Sequence, residues 1–447
     1  VEGLKEFPGE IFEGRRARVL AELGRGAMLL PSSPLRFHAG DSEMRYRPNS
    51  ELFYLTGFCE PGSILLLLGA GLGARSILFV RPRDSDAELW SGPRAGPEAA
   101  RKLTGVDEAR SIEELDGALP ELLKESDRVF LRLGENSRLD RSVVKALREA
   151  RLRGTKTGTG PRGVIDPGEI LDEMRLRKDD LEIEAMRKAA AVTMAGFRHA
   201  LRQVAPGVGE WEVEAAMEGA FRREGALGPS FATIVGSGVN ACVLHYIENS
   251  RRMREGELVL IDAGAEWGLY SGDITRTVPV SGRFSTPQRE IYGIVNEARR
   301  QAIGAIAPGV RTDEIHRRSL GVIVDGLLEL GLLEGDPHTL IEEEAHKRFF
   351  PHRTSHWLGL NTHDVGDYAR AGEPRPLEPG MVLTIEPGLY FNPEEDTPFS
   401  GIGVRIEDDV LVTETGAEVL TADLPTSIPE VENLVGALRE EAPRGTS

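Results

Sequence analysis

The sequence predicts two domains, an α/β domain over residues 1–170 and an α+β domain over residues 171–447 with an internal pseudo-twofold duplication. Three observations carry this. Short apolar runs alternate with helical patterns in the first part. A stretch rich in Gly, Thr, Lys and Pro, Gly154–Gly168, then interrupts the chain. Beyond it, one arrangement of helix stops and acidic strands occurs twice.

In the first part, Ile11–Leu23 has the pattern of a basic amphipathic helix. Gly26–Leu30, Ser63–Leu68 and Ser76–Val80 are apolar runs bounded by Gly or Pro, which read as strands. Pro97–Leu103, Ile112–Glu125 and Ser142–Glu149 read as helices between them. Such alternation builds a layered α/β unit. Gly154–Gly168 is the expected linker. After it, Asp179 and Glu182 have the spacing of a capping box. Ile183, Met186, Ala190 and Phe197 carry that helix toward a stop at Pro206-Gly207.

The duplication is visible within the chain itself. One helix ends in Val204-Ala205-Pro206-Gly207-Val208 and a new helix follows; another ends in Ile306-Ala307-Pro308-Gly309-Val310 and again a new helix follows. Each half then has a matching strand, Gly256–Gly264 and Gly380–Gly388, with an acidic residue six positions after the first Gly. A second acidic strand follows each, Ser271–Val280 with Asp273 and Gly403–Thr413 with Glu407. Two such halves would bring four carboxylates to a shared axis.

Bulk properties narrow the function. The net charge of −18 repels phosphate backbones, so no nucleic-acid partner is expected. No apolar run approaches the roughly 18–20 residues that span a bilayer, so no membrane association is expected. Val1-Glu2-Gly3-Leu4-Lys5 has no apolar signal core, and a cytoplasmic location is expected. Cys59 and Cys242 are far apart and read as free thiols.

Asp262 and Asp273 stand in apolar, strand-like runs, as do Glu386 and Glu407. An ionised carboxylate there is costly unless paired, hydrogen-bonded or bound to metal. Gly264, Gly268 and Gly272 allow an irregular hairpin that brings the two Asp to one side. His356 is the fifth candidate ligand. Four carboxylates and one imidazole can hold two divalent ions if some carboxylates bridge. Metals roughly 3.5–4 Å apart then act together on a carbonyl. An oxygen-rich set without thiolate favours Mn²⁺, with Co²⁺ or Zn²⁺ as alternatives.

The second part resembles the pita-bread metallopeptidases, a family that includes methionine aminopeptidase, prolidase and aminopeptidase P. The matching segments are Leu244-His245-Tyr246, Leu260–Gly264, Gly272–Thr277, Ser355–Gly359, Thr384–Gly388 and Arg405–Asp408. In the first part, Asn49–Phe58 and Glu88–Gly92 are similar to the N-terminal domain of bacterial aminopeptidase P. The resemblance implies a pita-bread catalytic domain and an Xaa-Pro aminopeptidase. Such an enzyme hydrolyses the first bond of peptides with proline at the second position, through a hydroxide shared by two metals.

The resemblance also implies roles. Asp262 chelates one metal, Asp273 and Glu407 bridge both, and His356 and Glu386 bind the other. His245, His352 and His363 line the substrate cleft, with Arg405 and Tyr390 close by, and His352, His363 and Arg405 are placed to donate to the carbonyls of the bound peptide. His245 and His363 are candidates to hold the developing oxyanion, and Glu386 to move the proton. Asp41 and Trp90 are candidate substrate contacts. A homodimer or homotetramer is expected. Two other readings stay open. A prolidase limited to Xaa-Pro dipeptides would use the same ligands, and a non-catalytic pita-bread binding protein would typically lose some of them. A creatinase-like hydrolase without metal is disfavoured by the full ligand set.

Overall fold

The computed structural model describes residues 7–441. The Val1–Lys5 segment read for a signal core lies outside them. The chain divides into two compact units between Met174 and Arg175.

The N-terminal unit is built on a six-stranded sheet. Its order is Glu108–Ser111, Arg75–Val80, Ile64–Leu68, Gly26–Pro31, Arg128–Phe130 and Val164–Ile165. The middle strand pairs are antiparallel and the outer ones parallel. Every residue of Ile64–Leu68 is buried, so this strand reads as a continuous apolar run rather than an alternating one. The basic helix Gly9–Glu22 buries Arg15 and Arg16, which donate to the carbonyls of Tyr54 and Leu55. Those carbonyls end the helix Ser50–Thr56, where cations are favoured. Asn49 caps the other end of that helix by accepting from Glu51 N and Leu52 N.

The expected linker is a correction. Gly154 closes the helix Ser137–Gly154, and Val164–Ile165 extends the sheet beside Arg128–Phe130. The Gly- and Pro-rich composition hides a two-residue β-branched strand whose partner lies far back in the sequence.

In the C-terminal unit, Asp179 and Glu182 form the capping box of helix Asp180–Leu201. The duplication extends to individual hydrogen bonds. After the first helix, Gly207 N, Met253 N and Glu210 N donate to Met253 O, Val208 O and Arg251 O. After helix Thr286–Gly304, Gly309 N, Leu377 N and Thr312 N donate to Leu377 O, Val310 O and Arg375 O. Gly207 and Gly309 share the left-handed conformation, at φ 87° and 85°, which only Gly adopts without strain.

The sheets of the two halves are related but not identical. Leu258–Ala263 is central in its sheet, between Ile234–Ser237 and Ile274–Pro279. In the second half Val382–Ile385 is an edge, and Asp408–Val412 is central between it and Ala417–Val419. The halves meet where Glu407 N donates to Thr275 O at 3.0 Å and Asp273 N donates to Asp409 Oδ2 at 3.2 Å.

Three of the four acidic strands expected from sequence are broken at the acid, while Asp262 stays within Leu258–Ala263, paired with Thr275 and Ile234. Asp273 lies between Tyr270–Ser271 and Ile274–Pro279, and Glu407 between Gly403–Arg405 and Asp408–Val412. Glu386 lies between Val382–Ile385 and Gly388–Tyr390. On each side of the break the chain pairs with a different strand. The bend leaves these acids out of the ladder and turns them to one place. Gly264 is needed for the first bend, because a Cβ there would fall 1.7 Å from Gly272 O. Among the described residues no helix is long and apolar enough to cross a membrane.

Candidate active site

The breaks converge on a cavity of about 890 Å³ within the C-terminal unit. Asp262, Asp273, Glu386, Glu407 and His356 all line it, together with His245, His352, His363 and Arg405. Tyr390 sits just behind, bonded to Arg405 and His352. Asp41 and Trp90 do not line this cavity. They belong to the N-terminal unit and are exposed, Trp90 at 89%.

The five expected ligands face one another. His356 Nε2 is 3.5 Å from Asp273 Oδ2 and 3.7 Å from Glu386 Oε1. Asp273, His356 and Glu407 each offer an atom within 4.8 Å of the others, close enough to hold a metal ion. The tautomer of His356 suits a ligand. Its Nδ1 contacts Trp357 O at 3.0 Å, and a proton there leaves the Nε2 lone pair pointing at the acids. Its backbone N donates to Thr384 Oγ1, which ties the ring to strand Val382–Ile385.

Electrostatics point the same way. Burial pushes Asp273 well above the usual carboxylate range, and Asp262, Asp409 and Glu386 push it further. Burial also raises Glu407, with Asp273 and Glu386 adding to it. Glu386 is raised too, chiefly by burial. Arg405, bonded to Asp262, offsets part of this charge, and the remaining buried acids are costly to charge together without a further cation. Asp262 Oδ1 is buried and has no hydrogen-bond partner among the described residues. An orphaned carboxylate oxygen beside crowded acids fits a divalent cation.

Around the acids runs a directional relay. Arg405 Nη2 donates to Asp262 Oδ2 at 2.6 Å and Nη1 to Tyr390 Oη at 2.9 Å. His352 is pushed down to about 3 by burial and by Arg405, so its ring is neutral. Its Nδ1 meets Arg353 O at 2.8 Å and must carry the proton, leaving Nε2 to accept from Tyr390 Oη at 2.9 Å. Both ring nitrogens of His352 are therefore engaged within the protein. Arg405 also reaches Thr275 Oγ1 and Leu244 O. His245 and His363 differ, having no hydrogen-bond partner among the described residues.

Sequence reasoning missed several residues. Thr275 Oγ1 donates to Glu407 Oε2 at 2.7 Å and so fixes that carboxylate. Tyr368 lines the cavity, accepts from Trp357 N and stacks on the Trp357 ring. His316, given no role from sequence, also lines the cavity and contacts Thr354 Oγ1 at 2.8 Å. Thr275 could have been found, since it lies two residues from Asp273 in a strand. Tyr368 and His316 carry no such signal, because they reach the cavity from a loop and from helix Thr312–Glu329.

Comparison with known proteins agrees with this geometry. Residues 184–414 match the model of metallopeptidase family M24, and residues 12–130 match the aminopeptidase P N-terminal domain. The Xaa-Pro aminopeptidase of Escherichia coli K12 is 42% identical over 442 residues, 98% of this chain and 100% of that one. Human Xaa-Pro aminopeptidase 3 is 36% identical, covering 90% of this chain and 79% of its own. Among solved structures, Zn-substituted E. coli aminopeptidase P in complex with product superposes with a TM-score of 0.92 at 43% identity, over 97% of this chain and 99% of that one. Proline aminopeptidase P II from Yersinia pestis gives a TM-score of 0.91 at 41% identity, over 96% and 100%. With its acids turned onto one cavity and both halves matched along their length, the chain belongs to metallopeptidase family M24.

Proposed function

We propose that this chain is an Xaa-Pro aminopeptidase working with two divalent cations. The observation that carries the reading is the convergence of four carboxylates and His356 on one cavity in an M24 chain. Asp262 would hold one cation, His356 and Glu386 the other, and Asp273 and Glu407 would serve both. When bound, the cations supply an activated water at neutral pH and polarise the scissile carbonyl. Mn²⁺ is the expected metal, with Co²⁺ or Zn²⁺ as alternatives.

The remaining roles fall to side chains. Glu386 takes a proton from the water and delivers it to the proline nitrogen, which must be protonated to leave. His245 and His363 have ring nitrogens available to donate to the carbonyl oxygen as it gains charge. The free amine of the substrate meets Asp262 or the cation it would hold, which limits cutting to the first bond. Arg405, Tyr390 and His352 hold Asp262 in place rather than donating directly to substrate. Residues 1–170 form the N-terminal domain and 171–447 the catalytic one. Asp41 and Trp90 contact substrate, in a neighbouring copy of a cytoplasmic homodimer or homotetramer.

The test is a comparison of substrates with and without Mn²⁺. Metal-dependent cleavage of Xaa-Pro-Yaa well above Xaa-Ala-Yaa is expected. Equal rates on the two would overturn the proline reading, and a preference for Xaa-Pro dipeptides would make the chain a prolidase. Light scattering tests assembly, and a monomer of the 48.8 kDa chain at micromolar concentration would overturn that part.

A further inference from the structure

Glu210 is fully buried, at 0% exposure, and lies outside the cavity lining. It opens the helix Glu210–Arg223. A carboxylate at such a place needs a reason, since burying its charge unpaired is costly. Glu210 is instead surrounded by donors. Oε1 accepts from Ser237 N at 2.7 Å, Ser237 Oγ at 2.7 Å and Asn240 Nδ2 at 3.1 Å. Oε2 accepts from Tyr246 Oη at 2.9 Å and Arg251 N at 2.8 Å.

All five donors belong to one loop. It leaves strand Ile234–Ser237, passes the turn Gly238–Cys242 and returns through Arg251. Glu210 holds its beginning, its middle and its end. Between the anchored positions lie Leu244, His245 and Ile247, which form one wall of the cavity. Tyr246 is buried against Glu210 while Val243 and Ile247, on either side, are 54% and 58% exposed. Tyr246 packs with Ile234, Leu260 and Tyr390, with Leu244 against them, and the Tyr246–Glu210 bond adds the directional link that fixes which way the neighbouring His245 faces.

We propose that Glu210 is a positioning residue that sets the place of His245 in the cavity. The inference rests on the reading of His245 as a donor to the substrate carbonyl. A donor must sit within tenths of an ångström of the developing oxyanion to act. A shift of about 1 Å from a distant substitution can cost roughly 10²-fold in rate. Glu210→Gln has nearly the same shape but replaces one acceptor oxygen by an N–H₂ group. That group would face either the Tyr246 hydroxyl and Arg251 N–H or the Ser237 and Asn240 donors.

The test is a double-mutant cycle on the Mn²⁺-loaded enzyme with an Xaa-Pro-Yaa peptide. Glu210→Gln alone is expected to lower kcat by roughly 10²-fold with KM little changed. In a His245→Ala background the same change should cost less than about twofold, because the group it positions is gone. Amide hydrogen exchange is expected to speed up over residues 238–250 and not in strand Leu258–Ala263. Equal losses in both backgrounds, or unchanged exchange in the loop, would overturn the positioning role alone. Full turnover by His245→Ala would instead overturn the reading of His245. Should Glu210→Gln fail to fold, Tyr246→Phe removes the bond to Glu210 together with the longer contacts of the same hydroxyl to Ser250 N and Oγ. It is expected to lower kcat roughly 3–10-fold, and only while His245 is present; no loss would overturn the proposal.

Discussion

The two halves of the C-terminal unit share a backbone plan but arm it differently. Gly207–Glu210 and Gly309–Thr312 make the same three backbone bonds to Met253 and Arg251 in one case and Leu377 and Arg375 in the other. Both halves then bend an acidic hairpin into the cavity. At the equivalent anchor position, however, the first half has the charged hub Glu210 and the second has Thr312. Thr312 Oγ1 makes a 3.0 Å bond to Tyr368 O, in the loop that carries the other cavity wall. The second loop has its own charged anchor elsewhere. Asp364, next to His363, is buried against Arg175 at 2.5 Å and Lys178 at 3.2 Å. Duplication thus gives near-symmetric acids, while the loops inserted into each half give the unsymmetric histidines. Metal binding belongs to what the halves share, and substrate handling to what they do not.

The largest expected effect tests the shared part. Asp273→Asn in the first half and Glu407→Gln in the second should each lower kcat/KM by on the order of 10³-fold or more. Elemental analysis should find two ions per wild-type chain and fewer in either variant. One tight ion or none, with full activity, would break the claim that the halves share two cations.

The next effect tests the unshared part. His245 comes from the first half and His363 from the second, and neither has a hydrogen-bond partner among the described residues. Burial, then His356 and His245, lower the pKa of His363, which keeps it neutral and able to donate from one nitrogen. His245→Ala and His363→Ala should each lower kcat roughly 10²-fold and leave Tm nearly unchanged. If only one variant slows turnover, a single half supplies the oxyanion donor.

These differences also explain what was legible in the sequence. The shared plan was readable because it repeats. Pro206-Gly207 and Pro308-Gly309 mark equivalent turns, and Asp262 and Glu386 follow equivalent glycines at equal spacing. The breaks at Asp273, Glu386 and Glu407 were not readable. Ile274, Ile385 and Ile406 stand next to the three acids within strand-like runs, and the change of ladder partner depends on strands distant in sequence. The engagement of His352 was also hidden. Its partners are Tyr390 and the Arg353 carbonyl, and only the fold shows that they use both ring nitrogens. Nothing in the sequence singles out Glu210, because its five donors lie 27 to 41 residues further on.

A smaller effect concerns pH, and it separates the second half from the first. His316 is pushed down to about 4, chiefly by burial and then by Arg353. A histidine with a depressed folded pKa binds more protons when unfolded. Its contribution to stability is therefore complete above about 6.5 and is lost as pH falls toward about 4. Because the crowded acids titrate as well, the useful quantity is a difference. The Tm of the wild type minus that of His316→Asn should shrink as pH falls from 6.5 to 4. A difference that is flat or grows over that range would mean His316 is not held neutral by the fold.

The smallest expected effect compares the two anchors directly. Thr312→Val keeps the shape of the side chain and removes one neutral hydrogen bond, worth about 1 kcal/mol. Tyr368 would lose that link but keep its stack on Trp357, at 5.0 Å between ring centroids, and the bond from Trp357 N to its hydroxyl. The wall it forms should therefore stay in place, with kcat within about threefold of wild type. Glu210 instead takes five bonds from its loop, so a change there disturbs the beginning, middle and end of the wall that carries His245, even with the packing of Leu244 and Tyr246 kept. The ratio between the losses in Glu210→Gln and Thr312→Val is thus the measure of how unequal the halves are. Equal losses in kcat would mean that both positions serve the fold in the same way, and that the duplicated anchor has not diverged into a positioning device.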